Sequence, residues 1–155
     1  MRGHDYTSPA SYLITICTER RLSLFGTISN GEMIHAPAGV VIDSWWHYLP
    51  ARLPSVELDV AVVMPNHFHA IVHLGTDPEH ENGPSLGDVV GWFKKRTTWD
   101  YSIGVKTGGW PRFPGRLWQE QYFDRIIRDE RSLARAREYV LGNPAKWWDD
   151  DYYQP

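Results

Sequence analysis

"VVMPNHFHAIVHL", residues 62–74, decides how this chain is read. An apolar run reaches a Met-Pro-Asn corner and continues as His67, Phe68, His69, Ala70, Ile71, Val72, His73. Three of the chain's seven histidines fall on this one apolar segment. In a β-strand the side chains alternate, so His67, His69, Ile71 and His73 share one face. Phe68, Ala70, Val72 and Leu74 then point the opposite way, toward a core. Two imidazoles side by side on one pleat can grip a single divalent metal. The spacing alone does not separate ligands from ordinary strand histidines, so the rest of the chain has to supply the context.

At 155 residues, 42% of them hydrophobic and 23% charged, the chain has the profile of one globular domain spanning 1–155. No apolar run approaches the roughly 18 residues of a membrane span. The first residues, "MRGHDYTSPAS", lack the apolar core of a signal peptide. The single cysteine, Cys17, cannot close an intramolecular disulfide, and a cytoplasmic location is the default expectation. The net charge of −3 is unevenly spread. Residues 1–90 carry 4 basic and 10 acidic side chains, residues 91–137 carry 11 and 5, and the tail returns to an acidic excess. Lys94, Lys95, Arg96, Lys106, Arg112, Arg116, Arg125 and Arg128 all lie in the basic stretch. They form either a phosphate-binding surface or a solvated face paired with nearby acids.

"SYLITICT" (11–18) reads as a strand, and Asn30-Gly31 between two short apolar runs reads as a hairpin turn. Residues 37–52 read as a helix with Val40, Val41, Trp45 and Leu49 at helical spacing. "VELDVAVVM" and "HFHAIVHLG" form two strands around the Pro-Asn corner. A polar loop follows, "GTDPEHENGPS". A second helix over 85–101 places Leu86, Val89, Val90 and Phe93 on one face. Residues 103–116 read as an aperiodic Gly/Pro-rich connection, "LWQEQYFDRIIR" as a further strand, and "DERSLARAREYVLGN" as a last helix. The order predicts an α+β fold: a ferredoxin-like (RRM-like) βαββαβ antiparallel sheet, two helices on one face, and a C-terminal helix bearing a tyrosine.

That last helix places Tyr139 and Asn143 one turn apart, about 40° from each other. Leu133, Ala136 and Val140 form its apolar stripe, with Tyr139 at the edge. An amide oxygen is a competent third ligand beside two imidazoles. Pro144 biases Asn143 away from helical angles, which leaves its direction open. Taken structurally, Tyr139 is a half-buried aromatic and Asn143 a helix C-terminal residue.

From "YLITICTERRLSLFG" through "VELDVAVVMPNHFHAIVHL", "GRLWQEQYFDRIIRDE" and "REYVLGNPAKW", the chain resembles the REP-associated tyrosine transposases, single-tyrosine HUH transposases of the small insertion-sequence type. Met64-Pro65-Asn66-His67-Phe68-His69 and the block Tyr139 to Pro144 carry the likeness. The resemblance implies that His67 and His69 hold a divalent metal, Mg²⁺ or Mn²⁺, and that Tyr139 is the nucleophile. It implies that Asn143 occupies the position of the helix polar ligand, where better known members have Gln. The implied substrate is single-stranded DNA beside a short hairpin, often a repetitive extragenic palindrome. The implied chemistry is nicking and strand transfer through a 5′-phosphotyrosine by a monomer or homodimer.

Lys94, Lys95, Arg96, Arg112 and Arg116 are the expected DNA contacts. Trp92, Trp99, Trp110, Trp118, Trp147 and Trp148 lie in or near the basic half, and at most two of them are expected to touch DNA. The acidic ending "WWDDDYYQP" departs from what tight DNA binding asks for, and Tyr152 and Tyr153 there are expected to be mobile. His73 is expected to be a packing or supporting neighbour of the ligands. A histidine-triad nucleotide hydrolase needs a histidine where Ile71 stands, and a TIM-barrel hydrolase needs a far longer chain. The remaining alternative is a domesticated hairpin-binding protein that has lost turnover.

Overall fold

β-Branched and aromatic residues fill "ASYLITIC", and in the computed structural model this run is a central strand, β1 (Ala10–Cys17). The structure describes residues 10–75 and 83–153. A short turn, Glu19–Arg21, leads to the hairpin β2 (Gly26–Ser29) and β3 (Glu32–His35). Asn30 and Gly31 both take positive φ, 52° and 75°, the conformation this tight two-residue turn requires. Then follow α1 (Pro37–Arg52), β4 (Val56–Met64), β5 (His67–Leu74), α2 (Leu86–Gly108), β6 (Phe123–Ile127) and α3 (Glu130–Gly142). A 3₁₀ turn, Pro144–Asp149, leaves α3.

The main sheet runs β4-β5-β1-β6 with every pair antiparallel, and the β2–β3 hairpin stands apart. This is the ferredoxin-like α+β arrangement expected from the element order. Its two faces are used differently. Phe68, Ala70, Val72 and Leu74 join Tyr12, Ile14 and Ile16 beneath α1 and α2, forming the main core. Trp46 of α1 is fully buried there, edge-on to Phe68 and Phe93 at ring separations of 5.0 and 5.3 Å. The opposite face carries Leu13 and Ile71, on which Ala136 and Val140 of α3 rest. The alternation of β5 thus sends the histidines to the α3 side.

A polar relay pins α3 in place. The Arg137 guanidinium donates to both oxygens of Asp59 at 2.9 and 2.6 Å. His73 Nε2 lies 2.8 Å from the same carboxylate, and its Nδ1 lies 2.6 Å from Ser11 Oγ. Asp59 sits at the register shift of β4, between Leu58 and Ala61, where the bulge re-aims its side chain. Arg137 hydrogen bonding holds the Asp59 carboxyl well below the usual carboxylate range. His73 is therefore a support for the helix, at the far end of the strand from His67.

Four local expectations are corrected. The face of α1 toward the core is Ala38, Ile42, Trp46 and Leu49, while Val40 is exposed and Val41 and Trp45 are partly buried. The packed stripe lies one residue on, because the aromatic that reaches the sheet is Trp46. The second helix continues to Gly108 through residues read as a connection. Its two interior glycines weaken helix propensity by about 1 kcal/mol each, but Gly104 is required. A Cβ there would lie 2.2 Å from the Trp110 ring, which folds back onto the helix. The fourth sheet strand is shorter than read, Phe123–Ile127, with Trp118 making an isolated bridge to Thr18. Asn143 is helical, φ −58° and ψ −45°, despite Pro144. Proline there opens a new 3₁₀ turn, in which its missing N–H costs nothing. The polar loop expected after β5 falls largely outside the described residues. No helix among the described residues is long and apolar enough to cross a membrane.

Trp46→Ala should lower unfolding stability by about 3–5 kcal/mol, as for a fully buried indole. Urea denaturation checks this, and a loss below about 1 kcal/mol would show that the two sheet-side helices do not depend on this contact.

Candidate active site

The β1–β5 register sets the site. Cys17 stands opposite His67 and Thr15 opposite His69. Both imidazoles are fully buried, their rings 4.6 Å apart. Each is oriented through Nδ1. His67 Nδ1 lies 2.7 Å from Asn66 Oδ1, and His69 Nδ1 lies 2.8 Å from Thr15 Oγ1. The Asn66 nitrogen donates to the carbonyl oxygens of Arg21 (3.2 Å) and Tyr152 (2.6 Å), so its oxygen faces His67 as acceptor. His67 Nδ1 must then carry the proton, which leaves a lone pair on Nε2. Nε2 of His67 and Nε2 of His69 are both buried without a hydrogen-bond partner.

The third member comes from the tail. Asp150 Oδ2 lies 3.6 Å from His67 Nε2, with its side chain nearly buried. The ligand atoms of His67, His69 and Asp150 lie within 4.8 Å of one another, so the three can hold a metal ion. A neutral imidazole lone pair facing a carboxylate repels it, and a shared cation removes that repulsion. Two nitrogens and a carboxylate oxygen make a donor set that a first-row divalent ion accepts. Burial, reinforced by the neighbouring histidine, lowers the His67 pKa to about 2. Burial lowers that of His69 to about 4. Burial also raises the pKa of Asp150. Uncharged imidazole is the form a metal requires.

Tyr139 stands beside this cluster, its ring 5.2 Å from that of His69 and its surface 48% exposed. Burial and then the Asp150 charge raise its pKa, so the resting hydroxyl keeps its proton. Asn143 is buried, and its amide nitrogen donates to the Tyr139 carbonyl oxygen at 2.5 Å. In a continuing helix that carbonyl would accept from the Asn143 backbone N–H, which here bonds Val140 instead. The side-chain amide replaces the lost donor, caps the helix, and comes to lie next to both His69 and the Tyr139 hydroxyl. Tyr139, Asn143, Lys146, Asp150 and Tyr152 line a pocket of about 190 Å³.

Asp150 is the residue that sequence reasoning missed. It lies in the run Asp149-Asp150-Asp151, read only as an excess of negative charge. The expectation that Tyr152 is mobile is corrected. Its ring lies 4.6 Å from that of His67, and its carbonyl oxygen is held by Asn66. Trp147 is buried and lies roughly parallel to the His67 ring at 6.2 Å. The tail is the lid of the site.

The basic residues are dispersed. Lys94 donates to the carbonyl oxygens of Gln119 and Glu120, and Arg96 stacks over Trp45 at 4.4 Å. Lys95 lies with Trp99 and Lys106 along α2. Arg116 faces Glu19 and Glu120 at 3.6 Å, and Arg112 lies beside Phe113. These five do not converge on the histidine–tyrosine cluster.

Lowering the pH should destabilise the metal-free protein. The histidines bind protons less readily folded than unfolded, so stability is complete above about pH 6.5 and is lost as pH falls toward their folded values. Thermal melts between about pH 7 and pH 4 should show this decline, flattened in His69→Gln. Mn²⁺ should raise the melting temperature near pH 7.5 and still do so near pH 5, where both folded imidazoles remain uncharged, and should lose that effect in His67→Ala. An undiminished Mn²⁺ effect in that variant would place binding elsewhere.

No family model matches the chain. An uncharacterized protein of Haemophilus influenzae is 29% identical over 172 residues, covering 99% of this chain and 90% of its own length. A provisionally assigned transposase of Deinococcus radiodurans has a solved structure with TM-score 0.49 and 19% identity, covering 91% of this chain and 95% of its own. A REP-associated tyrosine transposase, solved bound to a REP hairpin, superposes with TM-score 0.64 over 94% of this chain and 73% of its own, at 17% identity. This chain has the fold of that REP-associated tyrosine transposase.

Proposed function

We propose that this protein is a metal-dependent enzyme that nicks and transfers single-stranded DNA beside hairpins through a 5′-phosphotyrosine on Tyr139. One observation carries the reading. Two partnerless imidazole nitrogens and a nearly buried carboxylate converge beside a half-exposed helix tyrosine, in a chain with the fold of a hairpin-bound transposase.

In this reading His67, His69 and Asp150 hold Mg²⁺ or Mn²⁺, and Asn143 adds its amide oxygen from the helix side. A divalent cation held there supplies a Lewis acid that draws charge from a phosphate oxygen. The remaining work belongs to the chain. Asn66 and Thr15 fix the imidazole rings, so their free nitrogens need no reorganisation. The α3 helix holds the tyrosine oxygen within reach of the phosphorus. The tyrosine O–P bond forms as the P–O3′ bond breaks; the phenolic proton leaves and the 3′ oxygen takes one up. The phosphotyrosine retains the bond energy, so a new 3′ hydroxyl can reverse the step onto another strand. Burial and Asp150 keep Tyr139 protonated at rest, and compensating the Asp150 charge would remove the second of these restraints.

Tyr139→Phe should fold and bind hairpin DNA normally yet form no covalent adduct with it. Mass spectrometry of a trapped adduct should map to Tyr139, and mapping to any other tyrosine would overturn the mechanism. His67→Ala and His69→Ala should abolish cleavage and Mn²⁺ binding together, with Mn²⁺ binding more tightly than Mg²⁺ in the parent protein. Asp150→Asn should weaken Mn²⁺ binding about 10–100-fold by calorimetry. Unchanged affinity would remove the tail from the metal site.

A further inference from the structure

On the far side of Tyr139 from the acidic pocket lies a second groove, of about 490 Å³. Leu13 and Thr15 of β1 form its floor, β6 one wall, and Arg135 with Tyr139 of α3 the other. Register explains the wall. Phe123 pairs with Thr15 and Arg125 with Leu13, so both side chains rise on the face that carries His69. His69, Thr15 and Phe123 therefore form one row across three neighbouring strands, spanning roughly 10 Å.

The chemistry of this groove differs from that of the pocket beside Asp150. Phe123 is 58% exposed on an edge strand, a costly place for a phenyl ring unless something covers it. Arg125 and Arg135 are exposed, and neither is paired with a carboxylate among the described residues. Asp124 is the acidic side chain among the lining residues. An exposed aromatic flanked by two unpaired guanidinium groups is the pattern of a single-strand platform, in which the ring stacks a base and the cations hold phosphates.

We infer that this groove seats the single-stranded nucleotides adjoining the phosphate at Tyr139, with Phe123 stacking a base and Arg125 and Arg135 gripping the backbone. The inference rests on the reading of Tyr139 as acting on single-stranded DNA, and adds the path that the strand takes. The groove is continuous with Tyr139, whereas Lys94, Arg96 and Arg116 are engaged elsewhere on the surface. The tail, with Asp149, Asp150 and Asp151, closes the other side of the tyrosine to an anionic strand.

The test uses the full chain without metal, so that nothing turns over, and three labelled probes: a hairpin with a single-stranded flank, the same hairpin blunt, and an unstructured oligonucleotide. Phe123→Ala should weaken the flanked hairpin and the oligonucleotide at least about fivefold and leave the blunt hairpin unchanged. Phe123→Trp should restore affinity. Arg125→Gln with Arg135→Gln should lower the slope of log affinity against log salt by roughly 1.4, two phosphates at about 0.7 each. Equal losses on flanked and blunt hairpins, or no loss on either, would overturn the groove as the strand's seat. An adduct on Tyr139 with flank binding indifferent to these changes overturns this inference alone. Flank binding that responds to them while no adduct forms keeps the groove and removes the reaction.

Discussion

One buried amide connects everything that makes the site. Asn66 is fully buried at the corner between β4 and β5, where its oxygen holds His67 Nδ1 and its nitrogen holds two carbonyl oxygens. One carbonyl belongs to Arg21, on the chain leaving β1, and the other to Tyr152, in the tail. The side chain that fixes the histidine tautomer thus also fastens the segment that brings Asp150. Loss of that amide would leave His67 Nδ1 and two partly buried carbonyl oxygens of other segments without their partner, a costly change in a small domain.

The electrostatics of the site follow from this clamp. Packing brings two partnerless imidazole nitrogens and a carboxylate together, an arrangement uncomfortable for a protein alone and comfortable around a cation. The tyrosine lies at the boundary between this negative pocket and a basic groove. Burial and then the Asp150 charge restrain its hydroxyl from ionising. Under the proposed function, a chain with a net charge of −3 handles an anionic strand because Asp150 would be neutralised by the cation it helps to hold.

The parts legible in the sequence are those governed by a short period. Alternation along β5 separates Phe68 from His67 and His69, and the stripe Leu133, Ala136, Val140 orients α3 with Tyr139 at its edge. Two-residue turn chemistry exposes the Asn30-Gly31 hairpin. What stayed hidden depends on contacts between distant segments. Asp150 lies 83 residues beyond His67 and reaches it only because Asn143 keeps helical angles and Pro144 turns the chain back, against the ordinary pre-proline preference. The basic count over residues 91–137 marked an excess of charge along the chain. It could not show that Lys94 is tied to carbonyl oxygens, or that Arg125 is turned toward the tyrosine.

His67, His69 and Asp150 are proposed to form one metal site directly beside Tyr139. Anomalous diffraction from crystals equilibrated with Mn²⁺ tests it most directly. One strong peak is expected within bonding distance of both Nε2 atoms and an Asp150 oxygen. A peak elsewhere, or none at this cluster, would contradict it.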